Sequence, residues 1–312
     1  MIVSSSVPPN FKDRPIIEYL SFRFTYFSKD DWIRRFDEGR IFLNNQILLS
    51  PDRLLRPKDI VGYDTPPFEE PPADLNFRVM YEDQWLLAVD KPGNLLVHKS
   101  GRSFTSNLVY QLRFCHKPAA YPGIDAINRL DRETSGIVLF AKDKNSLRTM
   151  NEALSRQAVH KEYLAIVQGL PPKQSWTIDL PIGKTQSSIR YKSGIDPVMG
   201  KESRTSCELV RRLGDRHALL RVKPITGRTH QIRVHLAAEG LPIVGDLLYG
   251  GTEEEFLAWR RDSITVNSLR IFKRHALHCN LVSFQHPVTK IPLTLEAALP
   301  KDMLEFIASL NA

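Results

Sequence analysis

The sequence predicts an α+β protein in which a small domain precedes a large one. Three observations predict it. The proline-rich stretch Thr65-Pro-Pro-Phe-Glu-Glu-Pro-Pro72 divides the chain, and prolines at this density favour an extended, semi-rigid spacer. Beyond it, short apolar and β-branched runs come in pairs joined by turn residues, as hairpin strands do. Elsewhere, apolar residues recur at helical spacing. The expected divisions are a loose arm over 1–14, a small α+β domain over 15–64, a linker over 65–75 and the large domain over 76–312.

Residues 1–14 are polar and carry prolines, so they read as an arm. Lys29-Asp-Asp-Trp-Ile-Arg-Arg-Phe36 has helical apolar spacing, with Ser28 as N-cap and Gly39 as its stop. Arg40 to Leu49 reads as a hairpin turning at Asn44-Asn45, and Lys58 to Val61 as a last short strand. In the large domain, Phe77–Tyr81 and Trp85–Asp90 read as strands joined around Glu82-Asp83. Lys91-Pro-Gly93 is a turn, Leu95–Val97 a further strand, and 106–114 a helix. Ile137–Ala141 is an apolar run of buried-strand type, and 145–156 an amphipathic helix with Leu147, Met150 and Leu154 on one side. Val159 to Gly169 alternates like a strand. Residues 171–200 read as loose and turn-rich, and their cations Lys184, Arg190 and Lys192, with Lys201, are either a path for a polyanionic partner or a solvated loop. Residues 203–210 and 217–222 read as a strand pair joined through Gly214-Asp215. Residues 230–238 read as a helix, with Thr229 as N-cap and Gly240 as stop. Residues 251–268 are expected to form an insertion helix, and a final helix starts at 299–303.

The chemistry concentrates in Asn128-Arg-Leu-Asp131-Arg-Glu-Thr-Ser-Gly136, at the mouth of the apolar strand. Asp131 lies between Arg129 and Arg132, and nearby cations favour an ionised carboxylate. Taken alone, such a triplet is an exposed ion pair of little worth. Taken as a set, the motifs are specific. Asn128–Gly136 closely resembles the His-Arg-Leu-Asp-x-x-Thr-Ser-Gly signature of the RluA family of RNA pseudouridine synthases. Asn128 stands where that family usually has His, a position expected to contact the flipped nucleotide or its backbone. Asp90-Lys-Pro to Val97-His98 resembles the first family motif. Lys161-x-Tyr163-x-Ala and Thr226-Gly-Arg-Thr-His-Gln-Ile-Arg-Val-His235 resemble later ones. The helix, glycine and hairpin of 29–49 resemble the ribosomal protein S4-like module that precedes many such catalytic domains.

The resemblance implies a pseudouridine synthase fold, a mixed and largely antiparallel central sheet with flanking helices, behind a small S4-like α+β domain. It implies an isomerase that flips a uridine out of structured RNA, ribosomal RNA being favoured and transfer RNA the other option. Asp131 is the implied nucleophile, attacking either the ribose C1′ or the uracil ring. Arg233 is the implied partner of Asp131, with Arg228 second for that role. Tyr163 is the implied stacking platform and proton-transfer group. Asn128, Arg129, Arg228, His230 and Gln231 are implied substrate contacts, and Lys29, Arg34, Arg35 and Arg40 implied phosphate contacts of the small module.

Bulk composition agrees with a basic, globular protein. The chain has 312 residues, 42% apolar and 25% charged, with a net charge of +8, and an excess of cations suits a polyanionic partner. Three scattered cysteines form no paired spacing, which argues for a reducing compartment; cytoplasmic residence is expected. No apolar run reaches membrane-spanning length, no secretory signal is visible, and a monomer is expected. Pseudouridine formation involves neither redox change nor net hydrolysis, so no cofactor is expected. His230 and His235, and His275-x-x-His278-Cys279, are poor zinc patterns, so no metal is expected either. Two other readings stand beside the leading one: a non-catalytic RNA-binding or assembly factor that keeps the fold, and a glycosidase, which requires a second carboxylate opposite Asp131. Glu133 is the only neighbour for that second part, and it reads as a solvated loop residue.

Overall fold

The computed structural model describes residues 2–24, 27–64, 70–101, 103–116, 120–187, 189, 191–261 and 270–310. The chain forms two compact units, Met1–Glu69 and Glu70–Ala312.

In the first unit, β1 (Ile2–Ser6) is followed by α1 (Ile16–Arg23) and α2 (Lys29–Asp37), then β2 (Ile41–Leu43), β3 (Gln46–Ile47) and β4 (Ile60–Asp64). The sheet order is β1-β4-β2-β3. The Ser28 cap is real: its hydroxyl accepts from the Asp31 amide and the Asp31 carboxylate accepts from the Ser28 amide. Asn44 and Asn45 turn the hairpin with φ of 51° and 67°, both in the left-handed region that such a turn requires. Trp32, Phe36, Tyr63, Leu20 and Ile41 are fully buried and form the core. The expected loose arm over 1–14 is corrected. Ile2–Ser6 pairs antiparallel with β4, and Phe11 is buried. A run of serines hides this strand from a sequence reading, because Ser4, Ser5 and Ser6 fill most of it.

The second unit opens with β5 (Arg78–Glu82) and β6 (Leu86–Lys91). After α3 (Leu108–Tyr110) come β7 (Asp125–Ala126), β8 (Ser135–Ala141), α4 (Lys144–Ser155) and β9 (His160–Gln168). Then follow β10 (Ser175–Asp179), β11 (Ile182–Lys184), β12 (Ser193–Ile195), β13 (Arg204–Leu213) and β14 (His217–Pro224). The chain closes with α5 (Gln231–Ala238), α6 (Glu253–Arg261), β15 (Leu277–Gln285), β16 (Pro292–Glu296) and α7 (Lys301–Ser309). The main sheet runs β10-β13-β14-β9-β15-β8-β6-β5, with β16 beside β15 and β7 beside β8. Its pairings are antiparallel except β15 with β8, so the sheet is mixed and largely antiparallel, as expected. Every residue of β8 is buried. Gly136, at its start, has φ of 110°, and a Cβ there would lie 2.2 Å from the Cys279 carbonyl oxygen. Only glycine permits that approach, so the parallel junction is fixed where the Asp131 loop ends.

Several expectations change. Residues 171–200 are not loose: they supply β10 and the β11–β12 hairpin. Leu95–Val97 is not a strand. Its buried side chains sit where the Leu96 and Val97 carbonyls accept from the amides of Leu108 and Val109 at 2.8 and 3.0 Å. The helix expected over 106–114 is one α-turn and then a widened turn over Gln111–Cys115. Thr229 does not cap α5; the preceding residue is His230, at φ of 57°. The Gln231 side chain closes that turn instead, accepting from the Thr226 hydroxyl at 2.7 Å and the Arg228 amide at 3.0 Å. In the linker, 65–69 lie outside the described residues, and Glu70 is held by the protein. Its carboxylate accepts from the amides of Phe104, Thr105 and Ser106 and from the Thr105 hydroxyl. The insertion helix is α6, and 262–269 lie outside the described residues. No helix among the described residues is long and apolar enough to cross a membrane.

Candidate active site

The Asp131 loop is braced from both ends. On its entry side, β7 runs antiparallel to β8, and the Ile127 amide extends that ladder by donating to the Leu139 carbonyl at 2.8 Å. Asn128 continues the ladder with its side chain: Oδ1 accepts from the Leu139 amide at 2.7 Å and Nδ2 donates to the Ile137 carbonyl at 3.3 Å. A carboxamide carries one donor and one acceptor side by side, as a peptide group does. The position expected to face the nucleotide is therefore committed to the strand that leaves the site. On the exit side, the Thr134 amide donates to the Asp131 carbonyl at 3.1 Å. The Arg132 carbonyl accepts from the Leu95 amide at 3.0 Å and from Lys91 Nζ at 3.2 Å.

Lys91 was not legible as a site residue. It ends an apolar strand, is fully buried, and also donates to the Pro92 and Leu95 carbonyls. Burial is the main influence pulling its pKa down, to about 7.

Asp131 is 24% exposed, and its Oδ2 accepts from Arg233 Nη1 at 3.0 Å. Burial alone would raise its pKa. The Arg233 charge outweighs that, with help from His230, His275 and the Arg233 hydrogen bond, and holds Asp131 down to about 2. Arg233 is itself locked. Its Nε donates to Asp246 Oδ2 at 2.6 Å and its Nη2 to Asp246 Oδ1 at 2.8 Å, a two-pronged pairing of a guanidinium with a carboxylate. Two of its nitrogens are thus taken by Asp246 and the third is aimed at Asp131. Burial opposes the guanidinium's charge, but Asp246 and Asp131 push its pKa up. Asp246 is almost fully buried, and its Oδ1 also accepts from the Leu248 and Tyr249 amides.

His230 faces the other carboxylate oxygen, with Nε2 3.8 Å from Asp131 Oδ1. Burial draws its pKa down to about 4 against the pull of Asp131, so it is neutral at pH 7. Its Nδ1 is 2.8 Å from the Tyr249 hydroxyl, which also accepts from the Ser193 amide at 3.1 Å. The Arg233 guanidinium lies 5.0 Å from the Tyr249 ring centre, within cation–π range. Tyr163, on β9, is 8% exposed and register-paired with Cys279. Burial, then the neighbouring Cys279 thiol, pushes the Tyr163 hydroxyl's pKa well above its ordinary value. The hydroxyl is protonated at neutral pH.

The other predicted residues separate. Arg129 is exposed beside the carboxylate loop. Arg228 is exposed and donates to the Glu202 carbonyl at 3.1 Å, so Arg233 and not Arg228 holds Asp131. Gln231 is 4% exposed, and its amide nitrogen donates to the Arg204 carbonyl and the Thr205 hydroxyl, both at 2.9 Å. It builds the turn and is not open to a substrate. Glu133 is not a solvated loop residue: its carboxylate accepts from the His275 amide at 3.0 Å and lies 3.7 Å from Arg270. Glu133 and Asp246 are both engaged by protein cations and amides. His275 is buried with Nε2 2.6 Å from the Thr134 hydroxyl, and His278 Nδ1 is 3.0 Å from the Ser135 hydroxyl. In the small unit, Lys29 and Arg34 are exposed, Arg35 lies over the Phe27 ring at 4.0 Å, and Arg40 pairs with Glu38 at 3.1 Å.

A half-buried carboxylate held ionised, with an arginine locked onto it, is a group that can act as a nucleophile. Comparison with known proteins agrees. Residues 85–238 match the model of the RNA pseudouridylate synthase family. The chain is 32% identical over 321 residues to the ribosomal large subunit pseudouridine synthase D of Xylella fastidiosa, covering 98% of this chain and 92% of that one. It is 37% identical over 241 residues to the protein of that name from Xanthomonas campestris, covering 77% and 71%. Among solved structures, human RNA pseudouridylate synthase domain containing 1 superposes with a TM-score of 0.56 at 25% identity, covering 78% of this chain and 98% of that one. The chain belongs to the RluA family of RNA pseudouridine synthases. It is an isomerase that acts on RNA.

Proposed function

We propose that the chain isomerises uridine to pseudouridine in large-subunit ribosomal RNA, with Asp131 as the nucleophile. The ribosomal substrate rests on the relatives, which are named for the large subunit and align over nearly the whole chain. The single observation that carries the mechanism is the Asp246–Arg233–Asp131 relay, which keeps one recessed carboxylate ionised and aimed.

The uridine leaves its stack and enters the recess. Asp131 attacks either ribose C1′ or the uracil ring. The N1–C1′ bond breaks, the base turns, C5 bonds to C1′, and the bond to Asp131 breaks in turn to free the carboxylate. The C5 proton is then lost and N1 gains one, so the product is an isomer. Tyr163 stacks on the base and handles the proton at C5. Apolar residues around the carboxylate, Leu130 and Ile232 among them, are buried and keep water from the detached base. The first unit supplies a second RNA contact in the manner of an S4-like module, through Lys29 and Arg34 first.

Loss of the C5 hydrogen gives the test. RNA carrying tritium at uridine C5 releases it to water as pseudouridine forms. The wild-type chain should release tritium from an unmodified large-subunit transcript without free uracil, and Asp131→Asn should release none. Free uracil would instead mark a hydrolase. Tritium release by Asp131→Asn would remove Asp131 from the mechanism. Wild-type release from a transfer RNA and not from the ribosomal transcript would reassign the substrate.

A further inference from the structure

The β11–β12 hairpin is tied to the reaction centre. β12 packs against α5, the helix that carries Arg233. The Ser193 amide donates to Tyr249, which contacts His230, which faces Asp131. Just beyond β12, the chain makes a tight loop, Asp196-Pro-Val-Met-Gly200. Asp196 Oδ1 accepts from the Val198 and Met199 amides at 3.1 and 2.9 Å, and its carbonyl accepts from the Gly200 amide at 3.0 Å. A Cβ on Gly200 would lie 2.2 Å from the Asp196 carbonyl oxygen, so the turn closes only around glycine. The base of the loop is stapled by reciprocal Ile182–Lys201 amide–carbonyl bonds at 3.0 and 2.9 Å and by the Asp196 amide on the Pro181 carbonyl at 2.9 Å.

This braced loop holds two apolar side chains in solvent: Val198 is 86% exposed and Met199 81%. Folding within this chain gives no reason for that exposure. The surroundings are cationic. Among the described residues no carboxylate pairs with Lys184, Lys192 or Lys201; the loop's own Asp196 is turned onto the Val198 and Met199 amides, and Asp179 and Glu202 face Arg204 at 2.7 and 3.9 Å. Arg190 lies outside the described residues. Val198 lies five positions beyond Ser193, so the tip is at most about 18 Å from the Tyr249 contact.

We propose that Val198 and Met199 form an apolar wedge that enters the RNA stack beside the target uridine, while Lys184, Lys192 and Lys201 hold the flanking phosphates. The proposal rests on the RNA-isomerase reading and adds a surface to it. An extruded base leaves a gap that its neighbours collapse to fill, and apolar side chains inserted between base steps hold such gaps open. The lysines anchor the strand without reading its sequence.

Photocrosslinking tests it on the full chain in cells. With p-benzoylphenylalanine in place of Met199, crosslinks should fall on RNA, in the nucleotides flanking the uridine whose modification is lost in Asp131→Asn. Crosslinks to protein alone, to RNA scattered away from that uridine, or none at all, overturn the wedge. If crosslinks cluster at one RNA site where Asp131→Asn removes no pseudouridine, the wedge stands and the isomerase mechanism fails. A second measurement uses Val198→Ser/Met199→Ser, which changes only exposed side chains. On a folded large-subunit transcript its single-turnover rate should fall about tenfold or more, and on the same RNA cut to short single strands it should stay near wild type, because unstacking is then already done. Equal loss on both RNAs, or no loss on either, refutes the wedge.

Discussion

The ionisation of Asp131 should depend on Arg233. Replacing Arg233 by Gln together with Asp246 by Asn removes the cation without leaving Asp246 as an orphan charge. In the wild type, Asp131 sits at about 2 against an ordinary 3.8, a difference worth roughly 2.5 kcal/mol at about 1.4 kcal/mol per unit. Without Arg233, burial loses its largest opponent. Fully buried carboxyls rise by roughly 3–5 units; Asp131 is 24% exposed, so an acid limb near pH 5–6 is expected, about 2 units above the ordinary value. The assay is the single-turnover rate from mildly acidic to alkaline pH. Wild type should show no acid limb from this group across that range. The double variant should show one, with a plateau lowered about 10–100-fold for removal of the charge-assisted bond. A variant whose rate is flat down to mildly acidic pH would refute the claim that Arg233 keeps Asp131 ionised. The linkage has a definite sign. A depressed folded pKa stabilises the fold above 3.8, and that contribution is lost as pH falls towards 2.

Other outcomes follow from the same geometry. Asn128→Ala strands the Leu139 amide and the Ile137 carbonyl, and should lower stability by about 1–3 kcal/mol in urea unfolding; an unchanged midpoint would show that the amide does not brace the loop. Burial holds Lys91 at about 7 in the fold against 10.5 in the open chain, so the open chain binds the extra proton between those values. Wild type should therefore gain stability relative to Lys91→Met as pH rises through that window, read by unfolding at several pH values. Tyr163→Phe should bind RNA near normally and lose about 10²–10⁴-fold in rate, whereas Tyr163→Ala should lose affinity as well; a Tyr163→Phe variant as fast as wild type would leave only stacking for Tyr163. Lys29→Gln with Arg34→Gln should flatten the salt dependence of RNA affinity, with a log–log slope smaller by about 0.9 for each phosphate that the variant no longer neutralises.

What the sequence made legible depended on the range of the interaction. Local signals read through well: the Ser28 cap, the Asn44-Asn45 turn and the wholly apolar β8 each depend on residues a few positions apart. Asp131 and Arg233 were found by motif, yet their 3.0 Å hydrogen bond spans 102 positions, and no spacing rule predicts it. Asp246 and Tyr249 gave no local sign of a task, because their task is to hold Arg233 and His230 from another element. Lys91 resembled a turn residue because its three carbonyl partners come from two loops. The β1 strand and the β11–β12 hairpin were missed for a common reason. Their serines, glycines and lysines carry little β propensity, and their pairing with β4 and with each other supplies the order. Asn128 was misjudged in the other direction: a departure that suggested a changed nucleotide contact is a strut for the Asp131 loop.

A pseudouridine map of cellular RNA at single-nucleotide resolution tests the central claim most directly. It compares cells lacking the gene, cells restored with the wild-type chain and cells restored with Asp131→Asn. One or a few pseudouridines in large-subunit ribosomal RNA should vanish with the gene, return with the wild type and stay absent with the variant. Their return with Asp131→Asn, or an unchanged map in cells lacking the gene, would contradict the account.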